Sequence, residues 1–186
     1  KNNKERVVEI TGILGNMFAV NMSVQSMDDE VLKKIKRSNI KLDAYKEVNK
    51  NLQKNGRSTK AEMIFPLPGE TKESFMRGIE DLISSGISSL TIYTLMLLNG
   101  TEFKNTQYRK EFDIKGRFRI VPLNFGEYEG EKIFDFEEVG IQTKDMPFED
   151  YLYLRGFALM IESLINGRVF EEFFLYSKSL GVGRTE

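Results

Sequence analysis

Two stretches of the chain alternate between polar and apolar residues, a pattern that predicts strands with one polar face. In the first, Asn21, Ser23 and Gln25 occupy every second position of residues 20–25. Successive side chains of a strand point to opposite faces, so this period of two places the three polar groups together and the apolar residues behind them. We expect the polar face to meet water or a polar ligand.

The second stretch, Lys60–Phe65, carries the carboxylate of Glu62 among apolar residues and runs into the loop PLPGET at residues 66–71. A charge costs more to bury than the roughly 2–7 kcal/mol of a neutral polar group, so Glu62 needs a partner or a ligand. We expect it to share a face with Ser23 and Gln25. Such groups can satisfy one another in a core, but three together favour a polar-lined cavity, because barrel interiors are usually filled by Val, Ile and Leu.

Helical patterns follow these strands. Apolar residues recur at helical spacing in three segments, at residues 31–35, 42–52 and 75–83. Ser26 and Asp29 predict a capping box for the first of them, and a third strand is predicted at residues 89–95. Crossovers of this length join strands in parallel and with a right-handed turn. The fold class is therefore predicted to be α/β, with helices outside a parallel sheet.

The pattern changes from residue 107 onward. Residues 118–123 and 132–142 are rich in β-formers and predict a hairpin that turns at 126–130, and two helices are predicted at 148–165 and 169–180. We therefore expect two parts, a sheet-and-helix unit over residues 1–106 and a C-terminal α+β extension over residues 107–186.

Composition narrows the chemistry. The 27 basic and 28 acidic residues leave a net charge of −1, so neither nucleic acid nor a membrane is expected as a partner. With no apolar run of about 18–20 residues and no signal-peptide pattern, a cytoplasmic location is predicted. Cys and His are both absent, which excludes disulfides, thiolate nucleophiles, imidazole bases and most zinc and iron–sulfur ligand sets. No metal ligand is predicted.

Ligands of parallel α/β folds bind at the carboxyl ends of the strands. Gln25, the PLPGET loop and residues 96–101 fall at that end. The loop also fits ordinary turn chemistry, with Thr71 capping the next helix. The basic run that ends at Arg37 is typical of a solvated helix face, yet Arg37 stands where its guanidinium can turn back and grip a carboxylate in bidentate fashion.

Three blocks, in this order and spacing, resemble a known family: MSVQSMDDEVLKKIKR, EMIFPLPGETKESF and IYTLMLLNGTEF. They are similar to the fourth, fifth and sixth strand regions of radical S-adenosylmethionine (radical SAM) enzymes, in particular cobalamin-associated members and relatives of oxygen-independent coproporphyrinogen oxidases. The similarity covers about residues 18–103, and VPLNFGEY and EDYLYLR look like the tail of the cobalamin-associated branch.

The resemblance implies a fold and a site. Residues 1–106 would carry strands four to six of a partial (β/α)6 TIM-like barrel, as its C-terminal half. In the family, a Gln and an acidic residue at these positions hold the ribose of S-adenosylmethionine, and an Arg pairs with its methionyl carboxylate. Carried over, these are Gln25, Glu62 and Arg37, and Ser23 shares their face as a further cofactor-binding residue.

The departures from the family concern the cluster. Its CxxxCxxC loop and its glycine-rich segment are not in this sequence, and Pro66 stands where relatives usually have Gly. The chain, which begins at Lys1 without a Met, is expected to be the C-terminal piece of a longer enzyme and inactive alone. That enzyme would hold S-adenosylmethionine and a 4Fe–4S cluster, with cobalamin left open. It would cleave S-adenosylmethionine reductively to methionine and a 5′-deoxyadenosyl radical, which takes hydrogen from an unidentified substrate.

A second reading stays open. The chain could be a non-catalytic α/β scaffold or interaction domain in which Gln25, Arg37 and Glu62 form a structural polar network. A CxxxCxxC motif upstream would decide for the enzyme. A homodimer through the sheet edge at residues 18–23 is also expected, because a strand without its neighbour is a template for pairing.

Overall fold

The computed structural model describes residues 20–38 and 58–183, together with positions 10, 13, 46, 49, 50, 52 and 54. The helix predicted at residues 42–52 therefore lies largely outside the described residues. No helix in the described part of the chain is both long enough and apolar enough to cross a membrane.

A parallel three-stranded sheet forms the first part of the molecule. The strands β1 (Val20–Gln25), β2 (Thr59–Phe65) and β3 (Ser89–Thr94) lie side by side in that order. Helix α1 (Asp29–Lys34) follows β1, and helix α2 (Lys72–Ser84) connects β2 to β3. The predicted α/β class with a parallel sheet is confirmed, as is the third strand.

One face of the sheet is packed and the other is open. Along β2 the buried positions Ala61, Met63 and Phe65 alternate with partly or fully exposed ones. The buried side chains meet the apolar side of α2, including Phe75 and Ile79, in the main core. Lys60, Glu62 and Ile64 point the other way; Ile64 packs against the smaller apolar cluster described below, whereas Lys60 and Glu62 lie on what we call the open face. The apolar residues beside Glu62 in the sequence suggest an enclosed carboxylate, but the structure places Glu62 outside the apolar interior.

Helix α2 begins as the PLPGET loop predicts. The Thr71 hydroxyl accepts a hydrogen bond from the Ser74 N–H at 3.1 Å, and the Ser74 hydroxyl accepts one from the Thr71 N–H at 3.0 Å, which together make a capping box. The predicted box at Ser26 and Asp29 is wrong: Asp28 caps α1, accepting hydrogen bonds from the N–H groups of Glu30 and Val31. The Ser26 hydroxyl is engaged elsewhere, as described below.

A smaller apolar cluster lies at the carboxyl ends of the strands. It is formed around a short 3-10 helix (Glu102–Lys104) and helix α3 (Thr106–Glu111). Its buried members come from the segments after each of the three strands and from the end of α3: Val31, Leu67, Leu95, Leu97, Phe112 and Ile114.

A long hairpin follows, made of β4 (Lys115–Tyr128) and β5 (Glu131–Gln142). The predicted hairpin is confirmed, but its turn is shorter than expected. Glu129 and Gly130 have φ of 53° and 84°, the positive values that a two-residue turn of this twist requires, so Gly126 stays within the strand. Between Ile120 and Phe125 the pairing is interrupted by a bulge.

The first of the C-terminal helices and its π-helical continuation pack on the buried face of the sheet. Helix α4 (Phe148–Met160) continues as a π-helical segment (Ile161–Asn166), and α5 (Glu171–Ser179) follows. Tyr151, Leu154 and Ile161 belong to the main core. The side-chain amide of Asn166 bonds the backbone of Leu90 in both directions at 2.9 Å. The boundary between two parts at residues 106 and 107 stays a prediction.

Candidate cofactor-binding site

Polar side chains occupy the open face where the sequence pattern predicted them. In the register of the sheet Ser23 pairs with Glu62, and Glu62 pairs with Thr91, so the three lie in one row across the strands. The Ser23 hydroxyl donates to Glu62 Oε2 at 2.6 Å. The predicted proximity of Ser23 and Glu62 is thus observed.

Within the described part of the chain, Glu62 keeps one carboxylate oxygen without a hydrogen bond. Its Oε2 is occupied by Ser23, whereas Oε1 accepts no hydrogen bond from any residue in the described ranges. The side chain is only half-buried and Ser23 is exposed. An ionised carboxylate can accept about four hydrogen bonds, so this group can receive hydroxyl donors from a ligand without losing its contact to Ser23.

Gln25 is the last residue of β1, two positions after Ser23, and it has an unusual backbone conformation. The pairing of β1 with β2 shifts between Ser23 and Gln25, so that Val24 is the extra residue of a bulge, and Gln25 has φ of 62°. The regular alternation read from the sequence therefore holds as far as Val24, which is buried in the main core. At Gln25 the bulge interrupts the regular strand geometry; its side chain is half-buried, and its place on the face of Ser23 and Glu62 stays a prediction.

Arg37 makes no hydrogen bond or ion pair to this row within the described residues. It comes three residues after α1 ends, is exposed, and its N–H bonds the carbonyl of Leu32 at 2.8 Å. Within the described residues no hydrogen bond or ion pair joins its guanidinium to Ser23, Gln25 or Glu62. The structure thus brings Ser23 and Glu62 into contact and leaves the proposed role of Arg37 a prediction.

Three residues at this end of the sheet were not singled out from the sequence. Thr91 and Tyr93 line the open face of β3, and Tyr93 is 48% exposed; the alternation of β3 was the available signal. The third is Glu70, a fully buried carboxylate in the PLPGET loop. No local pattern indicates its role, because its partner Ser26 lies 44 positions away in the sequence.

Glu70 joins the two loops that follow β1 and β2. The hydroxyls of Ser26 and Ser74 donate to its two carboxylate oxygens. Burial raises the pKa of the Glu70 carboxyl above its usual range, and the two hydroxyls, which favour the charged form, oppose that rise only in part.

A separate cavity of about 360 Å³ lies at the opposite end of the sheet, between the loop that precedes β3 and helix α5. Ile83, Ser88, Leu90 and Lys178 are among its lining residues, and none of the four predicted site residues is. Parallel sheets bind ligands at the carboxyl ends of their strands, so the open face is the stronger candidate. No group of three or more acidic, His or Cys side chains in the described ranges is arranged to hold a metal ion.

The chain is similar in sequence to several known proteins, although no family model matches it. Over 174 residues it is 28% identical to the cobalamin-dependent radical SAM methyltransferase TokK of Streptomyces tokunonensis, which covers 90% of this chain and 25% of that protein. It is 26% identical, over the same shares, to 2-(S-pantetheinyl)-carbapenam-3-carboxylate methyltransferase of Streptantibioticus cattleyicolor.

Two further proteins are similar over shorter stretches. The heme chaperone HemW of Lactococcus lactis is 27% identical over 90 residues, 48% of this chain and 24% of that protein. The solved structure of the radical S-adenosylmethionine methyltransferase TsrM from Kitasatospora setae is 17% identical and overlaps 47% of this chain and 17% of that one, with a TM-score of 0.40.

The resemblance to radical SAM enzymes predicted from the sequence is confirmed by these relatives, and this chain matches part of such an enzyme. It spans about a quarter of the length of the curated relatives it matches.

Proposed function

We propose that this chain is the C-terminal half of a partial (β/α)6 barrel, with its extension, in a longer radical SAM enzyme, and that its open face binds S-adenosylmethionine. The observation that carries the proposal is Glu62, a half-exposed carboxylate with one oxygen bonded to Ser23 and the other without a partner in the described ranges. It stands on the middle strand of a parallel sheet whose relatives include radical SAM enzymes.

The chemistry of the donor set fits this cofactor. The two hydroxyls of a ribose are donors, and Glu62 together with the side-chain amide of Gln25 offers acceptors for them. Arg37 presents a planar guanidinium, which suits the methionyl carboxylate in bidentate geometry. We assign the ribose to Gln25 and Glu62, support of Glu62 to Ser23, and the carboxylate to Arg37. When bound, S-adenosylmethionine supplies by reductive cleavage the radical that takes hydrogen from a substrate.

The residues of this chain do not fit the iron–sulfur cluster. The sequence contains neither Cys nor His, so it offers no thiolate or imidazole ligand. Cluster ligands are therefore assigned to the part of the longer enzyme outside this chain, as is any cobalamin site. Methylation is the activity in the names of two relatives that each cover 90% of this chain; a methyltransferase is the reaction class we propose, with its substrate undefined.

The scaffold reading receives less support. It requires Gln25, Arg37 and Glu62 to form one structural network, and no hydrogen bond among the described residues links these three side chains. The Ser23–Glu62 pair lies on an exposed face, where neither group needs the other to escape a burial cost.

The proposal is tested by titrating S-adenosylmethionine into the longer enzyme. Replacing Glu62 or Gln25 with Ala should weaken binding by about 1–3 kcal/mol each, because ribose hydroxyls are left without acceptors. Glu73→Ala serves as the matched control, since Glu73 is an exposed carboxylate on α2 away from the open face. Unchanged affinity in the Glu62 and Gln25 variants would refute the ribose assignment.

The role of Arg37 needs its own test. Arg37→Lys keeps the charge but loses the planar fork, so affinity should fall if the guanidinium grips a carboxylate in bidentate geometry. Lys33→Arg, on the exposed side of α1 where Lys33 pairs with Glu30 at 2.5 Å, is a control that should leave affinity unchanged. Full affinity in Arg37→Lys would make Arg37 an ordinary surface residue.

A further inference from the structure

Gln25 sits in a strained turn. The Ser26 N–H bonds the carbonyl of Val24 at 2.7 Å, two residues back, and the residue between them, Gln25, has φ of 62°. A hydrogen bond of this span around a positive φ is the geometry of the classic γ-turn, which is rare and costs free energy. Such a conformation persists only where the surroundings determine it.

Both neighbours of Gln25 are fixed. Val24 is packed in the main core on one side. On the other side Ser26 is fully buried, and its hydroxyl accepts a hydrogen bond from the Asp28 N–H at 3.1 Å while donating one to Glu70. A single side chain thus links the turn to the cap of α1 and to a buried carboxylate of the next loop.

Glu70 is itself anchored to the first turn of α2. Its second oxygen accepts from the hydroxyl of Ser74, which belongs to the capping box, and the Glu70 N–H bonds the carbonyl of Leu67 at 3.0 Å. The charged groups that act on the carboxylate are Asp28 from the β1–α1 loop and Arg77 from α2. Removing an acceptor here would take from the buried Ser26 hydroxyl its bond to Glu70.

We propose that Glu70 is a positioning residue that holds, through Ser26, the γ-turn that sets the place of Gln25 at the cofactor. The part concerning the cofactor rests on the proposed function; the part concerning the turn does not. A carboxylate suits this task because each of its two oxygens accepts from one hydroxyl, whereas Gln has a single acceptor oxygen and an apolar side chain of similar size has none.

The turn is tested in this chain by NMR hydrogen exchange. Glu70→Leu fills nearly the same volume without acceptors, and exchange at the Ser26 N–H should speed up by about tenfold or more as the turn opens. Ser26→Ala removes the same hydrogen bond from the other side, and exchange at the amide of residue 26 should speed up to the same extent. Glu70→Gln, with one acceptor oxygen, should fall between wild type and Glu70→Leu, and the control Glu73→Leu should match wild type. Wild-type exchange in both Glu70→Leu and Ser26→Ala would overturn the inference.

The link to the cofactor is tested by a double-mutant cycle on S-adenosylmethionine affinity in the longer enzyme. Glu70→Leu should weaken binding on the order of tenfold when Gln25 is present, and should add nothing in a Gln25→Ala background, since the residue it positions is gone. Additive losses would show that Glu70 acts only on the fold and would overturn this part. An affinity insensitive to Gln25→Ala would refute the ribose assignment, while the exchange result would still decide the role of Glu70 in the turn.

Discussion

At the residue scale, the protonation of the buried Glu70 carboxyl group is coupled to the stability of the fold. Burial disfavours its charged form more than the hydroxyls of Ser26 and Ser74 favour it, so the folded protein binds the proton more tightly than the unfolded chain does, and the pKa is raised. By linkage, the stability that this group contributes is fully present below the unfolded pKa and is lost as the pH rises through the higher folded pKa.

We therefore expect a pH-dependent difference between wild type and Glu70→Gln, because Gln does not titrate. The free energy of unfolding of wild type relative to Glu70→Gln should be greatest below about pH 4.5 and should decline as the pH rises through the folded pKa. Urea unfolding of both proteins at several pH values between about 4 and 8 measures it. A constant difference over that range would contradict the raised pKa.

Residues 20–25 and 60–65 also show what the sequence could predict at this scale. The period of two placed Ser23 and Glu62 on one face, and the structure brings them to 2.6 Å. The same period, continued, could not foresee the bulge and γ-turn at Gln25. The residue after the turn, Ser26, bonds to Glu70, which is distant in the sequence and close only in the fold.

At the scale of elements, the hairpin is fastened to the sheet at its base. The Leu97 N–H bonds the carbonyl of Glu138 at 2.9 Å, and the Gly140 N–H bonds that of Leu95 at 2.8 Å. The Glu138 carboxylate meets both Lys104 and Arg109, with Arg109 Nη1 at 2.9 Å. Burial alone would raise its pKa, but the two cations outweigh burial and hold the pKa of Glu138 below its usual range.

Glu138→Gln should weaken the attachment of the hairpin to the sheet. The lost charge leaves Lys104 and Arg109 without their shared anion, and we expect a loss of about 1–3 kcal/mol in the free energy of unfolding at pH 7. Because the folded pKa is lowered, this contribution should be present above the unfolded pKa and lost as the pH falls through the folded pKa. Glu127→Gln, at an exposed position near the hairpin tip, is the control. Equal stability of Glu138→Gln and wild type at pH 7 would contradict the account.

At this scale the residue pattern predicts the elements of the hairpin but not its exact turn. Both strands and the existence of a turn were predicted from β-formers and glycines. The exact turn was not, because Gly126 and Gly130 are equivalent as signals and only the positive φ of Glu129 and Gly130 tells them apart. The extension also packs Tyr151, Leu154 and Ile161 into the main core, a long-range contact that no local pattern reports.

At the scale of the whole molecule, two surfaces stand out as unpartnered in the described part of the chain. Strand β1 pairs only with β2 there, which leaves its other edge open. One face of the hairpin carries a row of apolar side chains that are 51–69% exposed: Phe118, Ile120, Phe125, Phe134 and Phe136. Open strand edges and apolar patches both favour association.

We expect the chain by itself to self-associate as a two-fold dimer through the β1 edge. Asn21→Lys should dissociate such a dimer, because it brings like charges together across the two-fold axis. Phe136→Ser, on the hairpin face, should leave it intact. Light scattering at micromolar concentration distinguishes the cases. A monomer would show that the edge is covered, and dissociation by Phe136→Ser alone would place the contact on the hairpin.

The proposed cofactor site depends on one contact, that between Glu62 and the ribose of S-adenosylmethionine. A structure of the longer enzyme with S-adenosylmethionine bound measures it directly. We predict a carboxylate oxygen of Glu62 at about 2.5–3.0 Å from a ribose hydroxyl, with Ser23 still bonded to the other oxygen. A cofactor bound away from the open face, with Glu62 touching only Ser23, would contradict the central claim.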